Sequence, residues 1–269
     1  MDRPGLVSGS PFDLAGRVAL ITGASRGIGR AIAEGLAEAG ADLVLGSRDT
    51  AELERVADRA RELGRRAAVV PTDMSSVGDA RGLVDTALDR LGAIDVLVNV
   101  AGTTRRKPGV EVTEDDWDTV LDVNLKSTFF LTQAVGRYWI ETGRFADGSG
   151  RGKGKIVSIT SLTSLIGIRG TLAYAVSKSG LMGALRVLAL EWAPHNICVN
   201  GIAPGYIETT LTRPLFEDPT YSAWIHSRIP SGKHGQPGDL VGTAVFLSAP
   251  ASDYVSGQNL VVDAGWMAS

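Results

Sequence analysis

Cysteine is almost absent from this chain, which has a single one, Cys198, among 269 residues. One cysteine cannot form an internal disulfide, and such a chain fits a reducing compartment. Long apolar runs are also missing, since none approaches the ~18 residues that a membrane-spanning helix requires. The segment Met1-Asp-Arg-Pro-Gly lacks the apolar core of a signal peptide. We therefore expect a cytoplasmic protein that has no membrane partner.

The chain also lacks an excess of either charge. Lys and Arg number 27 and Asp and Glu number 30, which gives a formal net charge of −3 at pH 7. Because nucleic acids and anionic membranes are bound by clustered basic residues, this balance argues against both partners. The three histidines, His195, His226 and His234, stand apart, without carboxylate or cysteine partners at the spacing of metal ligands. We expect no metal site.

Apolar β-like runs are abundant, and they alternate with amphipathic helical segments. Seven runs favour strands: 17–22, 43–46, 67–70, 94–99, 155–159, 198–202 and 259–262. Such alternation is typical of a doubly wound α/β fold of the Rossmann type, with helices on both faces of the sheet. We expect a seven-stranded, mainly parallel sheet in a single domain over 1–269, of which 1–13 form a flexible N-terminal extension.

Two helix starts carry capping signals, and one segment is unsuited to a helix. Asp49-x-x-Glu52 predicts a capping box for a helix over 51–63, and Thr113, followed by three acidic residues, predicts the start of another. The segment 143–155 is too rich in glycine for a helix. It favours a flexible surface loop over a phosphate-binding one.

The first strand runs into a glycine-rich turn, Gly23-Ala-Ser-Arg-Gly27-Ile-Gly29, and a helical segment follows. Strand, glycine turn and helix form the order that a dinucleotide site needs. Glycines allow the backbone to approach a pyrophosphate, and the N-terminus of the helix favours an anion. A tight turn without a ligand is the alternative, but its position at the start of a βαβ unit favours cofactor binding.

Tyr174 and Lys178 lie four residues apart in a segment with helical character. Four residues make about one helical turn, so both side chains should share a face. A neighbouring cation favours the phenolate and should pull the pKa of Tyr174 down from its usual ~10, as acid/base chemistry on a carbonyl or alcohol requires. The alternative is an ordinary pair on a helix surface.

Taken in order, these and further motifs resemble the short-chain dehydrogenase/reductase family from about Leu14 to the C-terminus. The glycine spacing matches the family's, and the segment 99–102 is similar to its Asn-Asn-Ala-Gly element, with Val100 in place of the second Asn. Four positions match its catalytic tetrad: Asn124, Ser161, Tyr174 and Lys178. The resemblance implies an NAD(P)-dependent oxidoreductase, and it also implies a homotetramer.

The resemblance also assigns roles to these residues. Tyr174 would be the proton donor or base, Lys178 would bind the nicotinamide ribose, and Ser161 would donate to the oxyanion. Asn124 would hold a water that links Lys178 to solvent. The expected cofactor contacts are Gly23, Ser25, Arg26, Gly27, Ile28, Gly29, Ser47, Arg48, Asp73, Met74, Asn99, Ala101, Gly102, Tyr174, Lys178, Pro204, Gly205, Ile207 and Thr209.

Cofactor choice should depend on the end of the second strand, where Ser47 and Arg48 precede Asp49. An NAD site normally has a carboxylate here for the ribose 2′-hydroxyl, whereas a 2′-phosphate attracts a cation. Arg48, joined by Arg26, favours NADP(H), and NAD(H) stays possible. In the alternative, Arg48 is only solvated and Asp49 binds the ribose. Asp73 would contact the adenine, unless it is an ordinary helix cap.

The substrate is indicated by Arg105, Arg106 and Lys107, which follow the fourth strand. This cluster resembles the gluconate 5-dehydrogenase and 2-deoxy-D-gluconate 3-dehydrogenase branch of the family. A guanidinium binds a carboxylate bidentately, so Arg105 or Arg106 suits a sugar acid or related polyol. A solvated or subunit-contact loop is the alternative. A broad carbonyl or 3-ketoacyl-thioester reductase is the nearest rival function, and a non-enzymatic dinucleotide sensor is the rival from another class.

Overall fold

A seven-stranded sheet forms the centre of the molecule, for which a computed structural model describes residues 9–150 and 152–268. Its order is β3-β2-β1-β4-β5-β6-β7, and every neighbouring pair is parallel. The strands are β1 Val18–Thr22, β2 Asp42–Ser47, β3 Ala67–Pro71, β4 Val96–Asn99, β5 Gly154–Ile159, β6 Ile197–Pro204 and β7 Asn259–Val262. The prediction of a doubly wound, seven-stranded parallel fold is confirmed.

Helices connect the strands and cover both faces of the sheet. They are α1 Gly27–Glu38, α2 Thr50–Glu62, α3 Val77–Leu91, α4 Glu114–Leu121, α5 Thr128–Glu141, α6 Leu172–Glu191, α7 Arg213–Glu217, α8 Pro219–Arg228 and α9 Val241–Ser248. A π-helical turn, Asp122–Ser127, joins α4 to α5. Over the described ranges, no helix combines the length and apolar character needed to cross a bilayer.

Strand periodicity divides the core between the two faces. In β1, Ala19 and Ile21 pack with residues of α1, α2 and α9, whereas Val18 and Leu20 pack with residues of α3, α5 and α6. Successive side chains of a strand point to opposite faces, so a strand covered on both sides must be apolar throughout. This is why the buried strands are recognisable in the sequence as unbroken apolar runs.

The helix starts largely follow their capping signals. The Thr113 hydroxyl accepts from the Asp116 N–H, and the Asp116 carboxylate accepts from the Thr113 N–H, which makes a complete capping box. At α2, the Asp49 carboxylate accepts from the Glu52 N–H at 3.2 Å. The Glu52 carboxylate instead pairs with Arg55 at 2.9 Å, so only half of the predicted box forms.

The glycine-rich segment is less uniform than predicted. Residues 146–150 are all exposed. Phe145, in contrast, is 1 % exposed and packs edge-on against Trp139 at 5.3 Å between ring centroids. The prediction of a surface loop is therefore wrong for Phe145, because an aromatic ring buries much apolar area even within a glycine-rich stretch. Gly154 then begins β5, where a Cβ atom would overlap the Phe145 ring.

The predicted N-terminal extension is described only from residue 9 onward, and residues 1–8 lie outside the described part. The Pro11 carbonyl accepts from the Ala251 N–H at 2.8 Å, and the rings of Phe12 and Phe246 lie 6.4 Å apart. These contacts join the start of the described chain to α9 and to the segment that follows it.

Candidate active site

The candidate site lies at the carboxyl edge of the sheet, where β1, β4, β5 and β6 all end. In a parallel sheet these ends meet along one edge, and the crevice beside them is where ligands bind in open α/β folds. β1 leads into the glycine turn, β4 into the segment after Asn99, β5 into Ser161 and β6 into Gly205. The order of the sheet thus assembles motifs that are far apart in the sequence.

The glycine turn packs tightly against the end of β4. Gly23 has a φ of +67°, and a Cβ there would lie 2.9 Å from the backbone of Ala101. A Cβ on Gly29 would overlap the carbonyl group of Gly23. The Thr22 hydroxyl accepts from the N–H groups of Val100 (3.1 Å) and Ala101 (3.3 Å). The turn therefore keeps its backbone bare at the N-terminus of α1, as an anion site requires.

The predicted selectivity residues lie together at the end of β2. Arg48 is exposed, and so is Arg26 at the start of α1. The Ser47 hydroxyl accepts from the Asp49 N–H at 3.1 Å, while the Asp49 carboxylate caps α2. Two guanidinium groups thus reach solvent near the glycine turn, whereas the carboxylate beside them is occupied by the helix.

Asp73 forms a turn rather than a helix cap. Its carboxylate accepts from the N–H and hydroxyl of Ser75, both at 2.9 Å, and Ser76 is the residue that caps α3. The backbone hydrogen bond from Ser75 is the main cause that lowers the pKa of Asp73, with the charge of Arg48 as a smaller one. The alternative of an ordinary cap is therefore wrong, and Met74 beside it is buried.

Tyr174 and Lys178 share one face of α6, as predicted. The Lys178 Nζ lies 5.8 Å from the centre of the Tyr174 ring and donates to the Ile159 carbonyl at 2.7 Å. Lys178 is 3 % exposed, and burial lowers the pKa of its ammonium to about 8. Burial raises the pKa of Tyr174, and a hydrogen bond with the Ser161 side chain lowers it by less.

The prediction that Lys178 lowers the pKa of Tyr174 is therefore wrong for the protein without a bound cofactor. Burial disfavours any charged form, so it opposes the phenolate of Tyr174 and the ammonium of Lys178 alike. A lysine that has itself become easier to deprotonate gives less support to a phenolate. The pair shares a desolvated environment in which both groups favour their neutral forms more than they would in water.

Asn124 is completely buried in the π-helical turn. Its Oδ1 accepts from the Thr103 N–H at 2.8 Å, and its Nδ2 donates to the Thr103 carbonyl at 2.9 Å and to the Ser177 hydroxyl at 3.0 Å. A Cβ on Gly102 would lie 3.4 Å from Asn124 Oδ1 and 3.6 Å from Lys178 Nζ. Asn124 thus lies beside Gly102 and Lys178, as the resemblance implies.

Ser161 and Tyr174 line one cavity with a volume of about 100 Å³. Ser161 ends the loop after β5, and its Oγ accepts from the Thr163 N–H at 3.1 Å. Lining residues come from three stretches of the chain, 104–106, 161–174 and 204–215: Thr104, Arg106, Ser161, Leu162, Thr163, Ile168, Thr171, Tyr174, Pro204, Gly205, Tyr206, Leu211, Thr212 and Leu215. The cavity therefore joins two tetrad residues to one of the predicted substrate arginines.

The loop after β6 closes onto the glycine turn. A Cβ on Gly205 would lie 2.8 Å from the Asp263 backbone, and a Cβ on Gly27 would lie 3.4 Å from the Thr209 methyl group. Ile207 is buried. Pro204 and Gly205 line the cavity itself. The loop thus spans the space between the glycine turn and the cavity, and it carries four of the expected cofactor contacts, Pro204, Gly205, Ile207 and Thr209.

Asn99 does not extend its side chain toward this edge. Its Nδ2 donates to the hydroxyls of Thr132 (3.0 Å) and Ser158 (3.1 Å), both within the core. The asparagine joins β4, β5 and α5. Only the backbone that follows it, at Ala101 and Gly102, approaches the glycine turn and Lys178.

The three cations after β4 occupy different environments. Arg106 lines the cavity, and its Nη2 donates to the Tyr221 hydroxyl at 2.7 Å. Lys107 instead donates to the Asp116 carboxylate at 2.6 Å, and Arg105, exposed like Arg106, does not line the cavity. The structure thus separates a cluster that appears uniform in the sequence.

Aromatic residues that the sequence did not single out border the cavity. Tyr206 is 9 % exposed, and its ring lies 4.9 Å from that of Trp266 and 6.3 Å from that of Trp224. The hydroxyls of Tyr206 and Tyr221 lie 3.3 Å apart. These residues come from the loop after β6, from α8 and from the C-terminal segment, so no local pattern could have grouped them.

Two of the histidines are neighbours, contrary to expectation. His226 Nε2 and His234 Nδ1 lie 3.0 Å apart, and His234 Nε2 lies 3.3 Å from the Glu208 carboxylate. They flank the loop between α8 and the segment that pairs with Ile207. Sequence spacing could not show this, because the chain reverses direction between them. Among the residues that the structure covers, no group of three or more potential metal ligands occurs.

Known proteins share this sequence and arrangement over nearly their whole length. A family model described as enoyl-(acyl carrier protein) reductase matches residues 23–267. The 2-dehydro-3-deoxy-D-gluconate 5-dehydrogenase of Dickeya dadantii (strain 3937) is 44% identical over 257 residues, which cover 96% of this chain and 98% of that protein. The gluconate 5-dehydrogenase of Gluconobacter oxydans (strain 621H) is 39% identical, over 94% of this chain and 96% of that protein. The crystal structure of a gluconate 5-dehydrogenase from Burkholderia cenocepacia J2315 in complex with NADP and tartrate has a TM-score of 0.89 at 40% identity, over 96% of this chain and 98% of that chain.

Proposed function

Because the chain belongs to the short-chain dehydrogenase/reductase family, we propose that it interconverts a secondary alcohol and a ketone on a gluconate-type sugar acid, with NADP(H) as the preferred cofactor. One observation carries this proposal. Tyr174, Ser161 and Arg106 line a single cavity beside the glycine turn. An acid/base group, an oxyanion donor and an anion-binding group therefore face the same small volume.

The residues of the glycine turn fit a dinucleotide. Gly23 and Gly29 leave no room for side chains between the turn, Ala101 and α1, which keeps the backbone N–H groups accessible to a pyrophosphate. Arg48 and Arg26, both exposed at this end of the site, suit a 2′-phosphate, since a guanidinium binds phosphate bidentately. The Burkholderia cenocepacia relative crystallised with NADP and tartrate supports this preference, and NAD(H) remains compatible with it.

The chemistry follows from where charge develops. When bound, the nicotinamide supplies or accepts a hydride at the substrate carbon. Tyr174 donates a proton to the carbonyl oxygen during reduction and takes it back from the hydroxyl during oxidation. Ser161, hydrogen-bonded to the Tyr174 side chain, stabilises the developing alkoxide. Lys178 has ammonium hydrogens beyond its bond to Ile159, and these would hold the ribose hydroxyls.

Arg106 holds the substrate carboxylate in this proposal, and a pair of arginine variants tests it. Removing a charged hydrogen bond costs about 1.5–3 kcal/mol, or about ten- to a hundredfold in KM. We expect Arg106→Ala to raise KM by this factor for a keto sugar acid but not for an uncharged ketone. Arg105→Ala, at a residue that does not line the cavity, should change neither KM.

The assay is cofactor-coupled absorbance with sugar acids, polyols and ketones, each with NADP(H) and NAD(H). Equal losses on charged and neutral substrates in Arg106→Ala would favour a broad carbonyl or 3-ketoacyl-thioester reductase. No turnover with any of them would favour the non-enzymatic sensor, although the intact tetrad argues against it.

We also propose that the protein is a cytoplasmic homotetramer with one folding unit per chain, on the resemblance to the family. The outer face of α6 exposes Val187 (53 %) and Leu190 (79 %), which is apolar surface suited to subunit contact. Static light scattering measures the assembly directly. A monomeric mass at assay concentrations would contradict it.

A further inference from the structure

Lys107 is the last of the three cations in the segment 105–107, here called the substrate segment. Its side chain does not line the cavity. Its ammonium donates to Asp116 at 2.6 Å, and that carboxylate also accepts from the N–H and hydroxyl of Thr113. Asp116 is 6 % exposed. Lys107 thus pairs with the acidic residue of the capping box at the start of α4, and its charge is already paired within the protein.

The backbone of Lys107 is held from the opposite side. It forms an isolated parallel bridge with Thr171, and its N–H donates to the Gly170 carbonyl at 3.2 Å. Thr171 is the residue directly before α6, the helix that carries Tyr174 and Lys178. The same residue therefore joins the substrate segment to the catalytic helix through its backbone and to α4 through its side chain.

Alternation along 104–107 gives these contacts a directional consequence, because Thr104 and Arg106 line the cavity whereas Arg105 and Lys107 do not. In a β-like segment, successive side chains point to opposite sides. With Lys107 directed toward Asp116, Arg106 is directed toward the cavity, where it also meets the Arg169 carbonyl (3.4 Å) and Tyr221. A shift of one residue would turn Arg106 outward and bring Arg105 inward.

We propose that Lys107, through its ion pair with Asp116, is a positioning residue that fixes the register in which Arg106 meets the anionic group of the substrate. This inference rests on the proposed function, and it identifies what selects Arg106 over Arg105. The pair acts through the arginine, since the lysine does not itself contact the substrate.

Lys107→Met tests the inference, because it keeps the length of the side chain and removes the ammonium. We expect its KM for a keto sugar acid to rise about tenfold, while KM and kcat for an uncharged ketone stay within about twofold of the wild type. Lys107→Arg should restore most of the affinity, since it keeps the ion pair. Asp116→Asn should resemble Lys107→Met, and the double variant should add little to either.

A matched control removes an ion pair elsewhere. Arg59→Met breaks a surface ion pair with Glu62 on α2, and it should leave KM and kcat for both substrates unchanged. Circular dichroism and thermal unfolding of every variant verify the fold. Equal losses on charged and neutral substrates in Lys107→Met, or an unchanged KM for the acid, would overturn the inference.

The outcomes separate this inference from the proposed function. If Arg106→Ala is selective for the acid and Lys107→Met is not, the positioning role alone is wrong. If Arg106→Ala leaves KM for the keto sugar acid unchanged, the positioning role of Lys107 and the proposed carboxylate contact of Arg106 are both wrong. If both variants are selective and Lys107→Arg restores the affinity, both are supported.

Discussion

Lys178 should make the stability of this protein depend on pH in a direction opposite to that of a typical ion pair. Burial lowers the pKa of its ammonium from 10.5 to about 8. Between these values the unfolded chain binds more protons than the folded one, so the free energy of unfolding rises with pH. From about pH 7 to about pH 10 the gain amounts to about 2.5 kcal/mol, at about 1.4 kcal/mol for each pH unit of pKa difference.

Lys178→Met removes the titrating group and keeps an unbranched side chain. Urea unfolding at several pH values, at one protein concentration and without cofactor, gives the free energy of unfolding for both proteins. As pH rises from about 7 to about 10, the free energy of unfolding of the wild type should increase by about 2.5 kcal/mol relative to that of the variant. Lys233→Met, at an exposed lysine, should follow the wild-type curve. A difference that stays flat across this range would refute the reasoning.

Three further predictions concern the catalytic and cofactor residues. Tyr174→Phe keeps the ring and should lower kcat by at least ~10²-fold, and near-wild-type turnover would remove this tyrosine from the mechanism. Arg48→Asp should raise KM for NADP far more than for NAD, because it replaces an attractive charge with a repulsive one, and a wild type that already prefers NAD in kcat/KM would contradict this. Gly29→Ala should abolish dinucleotide binding in a fluorescence titration, because its Cβ would overlap Gly23, whereas Gly82→Ala has open space and should bind normally.

The fold could be predicted because the strands are buried on both faces. The strand predicted over 155–159 is observed as Gly154–Ile159 and is buried along its whole length. The edge strand Asn259–Val262 is only partly buried, and it matches its predicted limits because polar residues bound it. The strand predicted over 94–99 begins two residues later, at Val96, because Ile94 and Asp95 lead into it as a buried loop. Tyr174 and Lys178 were predictable for a different reason, since four residues on one helix fix their proximity locally.

What the sequence could not show depends on distant contacts and on burial. Arg106 and Tyr221 are 115 residues apart, yet their side chains share a hydrogen bond. His226 and His234 meet only because the chain turns between them. The pKa of Tyr174 could not be predicted from its neighbour, because proximity to Lys178 is local information, whereas the loss of water around both groups is set by the whole fold.

The aromatic residues beside the cavity also give the site an optical signal. Trp224 is 40 % exposed and Trp266 is 2 % exposed, with ring centroids 5.5 Å apart, and both lie against Tyr206 of the cavity wall. Trp139, in contrast, is 2 % exposed, and its indole N–H donates to the Ile94 carbonyl just before β4 begins. Emission from Trp224 and Trp266 should therefore change when the cavity fills, against a background from the other three tryptophans, Trp117, Trp139 and Trp192, which do not line the cavity. Occupancy could then be followed in real time without a label, and separately from turnover.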